Sequence, residues 1–199
     1  APVPILASGG VGKSVLATRL SDLMPAGSQT VLFDCFANGE YRQPANLRHP
    51  HRKALVQIAN ELATRGLCLP LVPTPAADAQ DYMRGLIDRL TQASLAVGAK
   101  APEGLVVILV DAADNAQMAA EEADTPAFVQ DLLRQPLPAG VRLATLCRPE
   151  RRHLLKPPEA ALPIELTGFE IAETAALLRR AYPDATEAQV EVFHRLSSH

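Results

Sequence analysis

The chain has 199 residues, 48% hydrophobic and 21% charged, a composition suited to a globular domain able to bury a sizeable core. Nineteen basic against 22 acidic side chains leave a net charge of −3, which gives no bulk reason to expect nucleic acid as a partner. The longest aliphatic run, Leu105 to Val110, is far too short for a membrane span, and three cysteines that cannot all pair favour a reducing cytoplasm.

In chain order, Val3 to Leu6 is a short apolar run expected as a buried strand, with almost nothing before it. That abrupt start at Ala1 is expected of a piece of a longer protein. Val15 to Met24 reads as a helix with Leu16, Leu20 and Leu23 on one face, and Thr30 to Phe36 as a second strand. His51 to Arg65 carries Leu55, Ile58, Ala59 and Leu62 at helical spacing. Asp78 to Val97 does the same with Met83, Leu86, Ile87 and Leu90, which read as core positions. Gly104 to Asp111 (GLVVILVD) is apolar on both alternating faces, as a central parallel strand should be. Phe128 to Leu133 reads as a short helix, Val141 to Cys147 as a strand, and Ala161 to Leu166 as a last strand weakened by Pro163. Beyond Glu170 two helices are expected, near 170–181 and 185–197, with Pro183 between them. The alternation predicts an α/β fold in which both faces of a mostly parallel sheet are covered, a three-layer α/β/α arrangement. Residues 1–166 are expected to form that domain, and 167–199 the start of a helical subdomain.

Three segments carry chemistry. Ala7-Ser8-Gly9-Gly10-Val11-Gly12-Lys13-Ser14 matches the phosphate-loop pattern G-x-x-x-x-G-K-[ST], with Ala7 at the first glycine. Small residues let backbone N–H groups of Ser8 to Val15 converge on phosphate, Lys13 neutralises β/γ charge and Ser14 offers a hydroxyl to Mg²⁺. Ala7 is tolerable where the strand ends without a positive φ. Asp111 closes the aliphatic strand at its carboxyl end, where ligands gather in such sheets, placing it to hold Mg²⁺, and Asp114 lies three residues on, a candidate to orient or deprotonate water. Arg148 follows the strand that ends at Cys147 and is a candidate to sense the terminal phosphate.

Together these segments make the chain resemble the STAND class of signal-transduction P-loop NTPases, NACHT-like prokaryotic members included, over nearly its whole length. The resemblance rests on ASGGVGKS (the Walker A loop), VVILVDAADNA (similar to the class's Walker B strand and D-x-x-D-E) and ATLCRP (similar to its sensor strand). Phe33-Asp34-Cys35-Phe36, Tyr41-Arg42, Arg48-His49 and the helix ALVQIANELATRGLCLPL resemble the stretch after the loop, and Leu166-Thr167-Gly168-Phe169-Glu170 the opening of the helical subdomain. The resemblance implies an ATP/ADP-binding switch using Mg²⁺, resting with ADP and self-associating with ATP. Sensor and effector domains would lie outside this chain, in bacterial defence or signalling. Asn115 stands where the class usually has Glu, which implies slow hydrolysis.

Other readings of the same residues stay open. A small kinase or a GTPase uses the same phosphate loop, although no acceptor-site acids, arginine-rich lid or Asn-Lys-x-Asp segment is identifiable. Cys35, His49, His51 and Cys68 match no paired zinc spacing. The run Arg48 to Lys53 (RHPHRK) is expected as a solvated loop and helix start, and Cys147 as a buried strand cysteine rather than a reactive thiol.

Overall fold

The computed structural model describes residues 1–197; Ser198 and His199, the end of the expected helical subdomain, lie outside the described residues. Five strands, β1 (Val3–Ala7), β2 (Gln29–Asp34), β3 (Val106–Asp111), β4 (Val141–Cys147) and β5 (Ile164–Leu166), form one sheet. Their spatial order is β2-β3-β4-β1-β5, and every pairing is parallel. The carboxyl ends of β3, β4 and β1 therefore lie side by side, because the chain leaves β1 for the far edge and returns strand by strand.

The helices are α1 (Lys13–Arg19), α2 (His51–Thr64), α3 (Ala79–Lys100), α4 (Ala113–Glu122), α5 (Phe128–Arg134), α6 (Arg152–Leu155), α7 (Ile171–Ala181) and α8 (Glu187–Ser197). Side chains alternate across the sheet and divide the core. Val106, Ile108 and Val110 join Phe33 of β2 and Leu55, Ile58, Leu62, Leu86, Leu90 and Phe128 of α2, α3 and α5 on one face. Val107 and Leu109 face the other way with Ile5, Leu146 and Ala17, where Leu16 of α1 and Leu20 just beyond it pack. Both faces are covered, which gives three α/β/α layers. Each fully buried Leu or Phe contributes about 1.5–3 kcal/mol of transfer free energy.

Several expectations are corrected. The first helix ends at Arg19 and continues only as a 3₁₀ turn, Leu20–Leu23. Thr18 Oγ1 donates to the carbonyls of Ser14 and Val15, which disturbs the α ladder, and Pro25 forces Met24 into an extended conformation. Leu23, expected on the buried face, is consequently 73% exposed. The strand expected to reach Phe36 stops at Asp34, whose carboxylate accepts from the N–H groups of Phe36 (2.7 Å) and Ala37 (3.0 Å) and turns the chain. The last strand begins at Ile164, directly after Pro163, which has no N–H for the ladder. Helices α4 and α6 were not expected: α4 buries a small-residue stripe of Ala113, Ala116 and Ala120, and α6 is a single turn.

The run Arg48 to Lys53 is not simply solvated. His49 and His51 are buried; His49 Nε2 pairs with Thr125 Oγ1 at 3.0 Å and His51 Nε2 with Asp131 Oδ2 at 2.8 Å, tying the start of α2 to α5 and the segment before it. Burial lowers the pKa of His49. Arg48 lies 5.9 Å from the Phe33 ring centroid. Among the described residues no helix is long and apolar enough to cross a membrane.

Candidate functional site

The loop from Ser8 to Gly12 joins β1 to α1, and its conformation explains its glycines. Gly10 and Gly12 have φ of 81° and 95°, the left-handed region that favours glycine. A Cβ on Gly12 would meet nothing within 4 Å, so backbone conformation rather than crowding requires glycine there. Ala7, by contrast, is the last residue of β1 and is buried, which accounts for alanine at the first position of the pattern. Ser8, Gly9 and Gly10 are exposed; Val11 and Gly12 are half-buried; Val15 is exposed at the start of α1.

Lys13 Nζ donates to the carbonyl oxygens of Ala7 and Ser8, both at 2.7 Å, so the ammonium lies across the loop. Burial and the positive charge of Arg148 lower its pKa, while Asp114, Asp111 and Glu150 oppose that shift. These five ionisable groups act on one local field although they span most of the sequence.

Ser14 Oγ donates to Asp111 Oδ2 at 2.7 Å, across 97 positions of sequence. The other carboxylate oxygen, Asp111 Oδ1, accepts from the N–H of Ala112 at 2.8 Å. Two hard oxygen donors thus converge where β1 and β3 release the chain. Among the described residues no cluster of three or more His, Cys, Asp or Glu could hold a metal. A one-carboxylate, one-hydroxyl set nevertheless suits Mg²⁺, which retains water and takes further oxygens from phosphate. Ser14 and Asp111 are the residues that would hold it, and its chemistry there would be charge neutralisation on phosphate oxygens.

Directly after Asp111 the backbone is strained. Ala112 has φ 52° and ψ 41°, a left-handed conformation that costs a non-glycine residue about 1–2 kcal/mol. This bend starts α4 and places Asp114 and Asn115 in its first turn, both buried. Burial raises the Asp114 pKa, and a backbone hydrogen bond, Arg151 and Arg148 hold it down. Arg148 is the exposed residue immediately after β4, where it precedes the 3₁₀ turn Pro149–Arg151. It is not the arginine bonded to Asp114. That residue is Arg151, whose Nη1 donates to Asp114 Oδ2 at 3.2 Å and to Asn115 Oδ1 at 3.4 Å. In sequence Arg151 is one of several basic residues. The only signal was its position two residues beyond Pro149, which starts a turn and brings Arg151 back towards α4.

The cysteines do not belong to the candidate chemistry. Cys35 and Cys147 are fully buried; burial pushes the Cys35 thiol well up and the Cys147 thiol up to about 12. Cys68 Sγ donates to the Ala59 carbonyl at 3.6 Å, and its pKa is also raised by burial. Native protein at pH 8 is expected to react with iodoacetamide at Cys68 alone and slowly, with all three thiols labelling after denaturation. Rapid native labelling of Cys147, read by peptide mass spectrometry, would overturn this assignment.

No family model matches the chain, and no curated protein matches it. Solved structures do. The chain is similar to Drosophila ORC bound to DNA (12% identity, TM-score 0.52), covering 92% of this chain and 41% of that one. It is also similar to the Aeropyrum pernix ORC1 protein in complex with DNA (14% identity, TM-score 0.49; 92% and 44% of the two chains). A third is a Pyrococcus horikoshii Signal Transduction ATPase with Numerous Domains that has a tetratricopeptide repeat sensor (16% identity, TM-score 0.49; 98% and 25%). This chain therefore spans less than half the length of each. What it has in common with the Drosophila structure is fold alone: a three-layer α/β/α architecture with a parallel central sheet.

Proposed function

We propose that the chain is the ATP/ADP-binding module of a signal-transduction NTPase switch of the STAND type, with slow, Mg²⁺-dependent ATP hydrolysis. The observation that carries this reading is the 2.7 Å hydrogen bond between Ser14 and Asp111, which joins the phosphate loop to the strand-end acid. Backbone N–H groups of Ser8 to Val15 would receive the phosphates, Lys13 would exchange its loop carbonyls for phosphate oxygens, and Arg148 would answer to the terminal phosphate. Asp114 is the candidate to orient water. Asn115 beside it provides no second carboxylate, which supports slow turnover.

Residues 167–199 are proposed to begin a helical subdomain. Its support is the apolar surface left open on α7 and α8: a groove of about 770 Å³ there is lined by Leu178, Tyr182, Val192, Phe193 and Leu196 among others. Nucleotide-controlled self-association, and sensor and effector domains in a longer protein, belong to the same proposal, as does a role in bacterial defence or signalling.

Asp111→Asn separates a metal-holding role from a structural one. With Mg²⁺ present the variant is expected to bind ATP about tenfold to a hundredfold more weakly, the equivalent of losing one charge-assisted contact of about 1.5–3 kcal/mol. In EDTA the two proteins should bind alike. Equal weakening in both buffers, measured by titration, would make Asp111 a structural residue and remove the metal site.

A further inference from the structure

Among the described residues Arg151 is the one basic side chain that pairs with the candidate water-orienting acid. The Asp114 side chain is 3% exposed, and a carboxylate so buried is costly unless it is paired and hydrogen-bonded. Its partner is held on a short, defined path from the sheet. β4 ends at Cys147, Pro149 opens a 3₁₀ turn, and Arg151 N–H donates to the Arg148 carbonyl at 3.0 Å. Leu155 of α6, four residues on, is fully buried in the main core, which anchors the far side of the turn. One guanidinium nitrogen, Nη1, then spans Asp114 Oδ2 and Asn115 Oδ1. Because residue 115 is an amide, Asp114 is the one carboxylate paired with Arg151 among the described residues.

We propose that Arg151 is a positioning residue that acts through Asp114, fixing the carboxylate by which the site orients the attacking water. The proposal rests on the reading of Asp114 given above. In the step concerned, the water oxygen bonds to the γ-phosphorus, and the bond from that phosphorus to the β,γ-bridging oxygen breaks. ADP leaves with the bridging oxygen and its electron pair. One water proton passes to the Asp114 carboxylate and then to solvent, leaving inorganic phosphate. Arg151 touches none of the reacting atoms; it holds Asp114 Oδ2 and so limits how the carboxylate rotates.

The test compares wild type, Arg151→Ala, Arg151→Lys, Asp114→Asn and the Asp114→Asn/Arg151→Ala double variant. Phosphate release gives kcat and KM with Mg²⁺ and ATP, and titration gives the ADP Kd. Arg151→Ala is expected to lower kcat about tenfold to a hundredfold while KM and the ADP Kd stay within about twofold. Arg151→Lys should restore part of the loss, and the double variant should turn over no more slowly than Asp114→Asn alone. The lysine and double variants keep the test decisive where Arg151→Ala, which leaves Asp114 buried without its partner, fails to fold. A double variant that falls multiplicatively below Asp114→Asn, or an Arg151→Ala that loses ADP affinity at unchanged kcat, overturns the proposal and leaves the site reading intact. Wild-type hydrolysis by Asp114→Asn, or ATP binding without any phosphate release by wild type, instead overturns the reading of Asp114, and the proposal with it.

Discussion

Lys13→Ala is expected to remove most of the stabilisation that nucleotide confers on the chain. A ligand present at about a hundred times its Kd stabilises a folded protein by about 2.7 kcal/mol. At this chain length that corresponds to a rise in melting midpoint of roughly 5–10 °C. Removing the Lys13 ammonium deletes the positive group placed at the loop mouth, 2.7 Å from the Ala7 and Ser8 carbonyls. Loss of one charged partner at a buried anion contact costs about 2–5 kcal/mol, so affinity falls at least about thirtyfold and the thermal shift falls to about a third or less. The variant without nucleotide should melt close to wild type, because Lys13 is half-buried on the loop and contributes nothing to either core cluster. A full nucleotide-induced shift in Lys13→Ala would mean that the phosphates bind elsewhere.

The largest effect on stability is expected from Phe33→Ala. Phe33 and Phe128 are both fully buried and meet edge to face, with ring centroids 5.4 Å apart and planes at 83°. This contact joins β2 to α5 in the larger core, and the Arg48 guanidinium lies 5.9 Å from the Phe33 ring centroid. Truncating such a side chain costs about 3–5 kcal/mol through lost transfer energy and the cavity left behind. The expected fall in melting midpoint is roughly 6–20 °C. Leu23→Ala is the matching control: Leu23 is 73% exposed, so its loss should change stability by less than about 0.5 kcal/mol. Similar losses at both positions in thermal or urea unfolding would contradict the division of the core described above.

Much of the architecture was readable because its signals are strong and local. Val106 to Asp111 is buried at every position, and an aliphatic run closed by an acid permits few other placements. The glycines of the candidate loop were legible as a tight β1–α1 connection, and Gly10 and Gly12 adopt conformations that few other residues tolerate. The details that escaped the sequence have physical reasons. Helix α4 buries alanines, whose weak hydropathy conceals the 3–4 spacing of Ala113, Ala116 and Ala120. Helix α6 is too short to have a period at all. Leu20 and Leu23 continue the helical pattern, but hydroxyl back-bonding by Thr18 and the effect of Pro25 on Met24 override that periodicity.

The candidate site divides in the same way. Lys13, Ser14 and Asp111 were nominated from spacing, and the structure brings Ser14 and Asp111 into contact. Arg148 was nominated to sense the terminal phosphate because it follows β4, whereas Arg151, which bonds Asp114, was not nominated at all. Which arginine in a basic run reaches a given acid depends on the turn that begins at Pro149, and composition and periodicity do not encode that geometry. The burial of His49 and His51 likewise depends on Thr125 and Asp131, more than seventy residues away.

The central claim, that Ser8 to Val15 together with Asp111 form an adenine-nucleotide phosphate site, is tested most directly by calorimetric titration of the chain with ADP and with GDP in Mg²⁺. The account predicts saturable binding of ADP at one site per chain, absent from Lys13→Ala, with GDP bound far more weakly. No saturable ADP binding, or a preference for GDP, would contradict it.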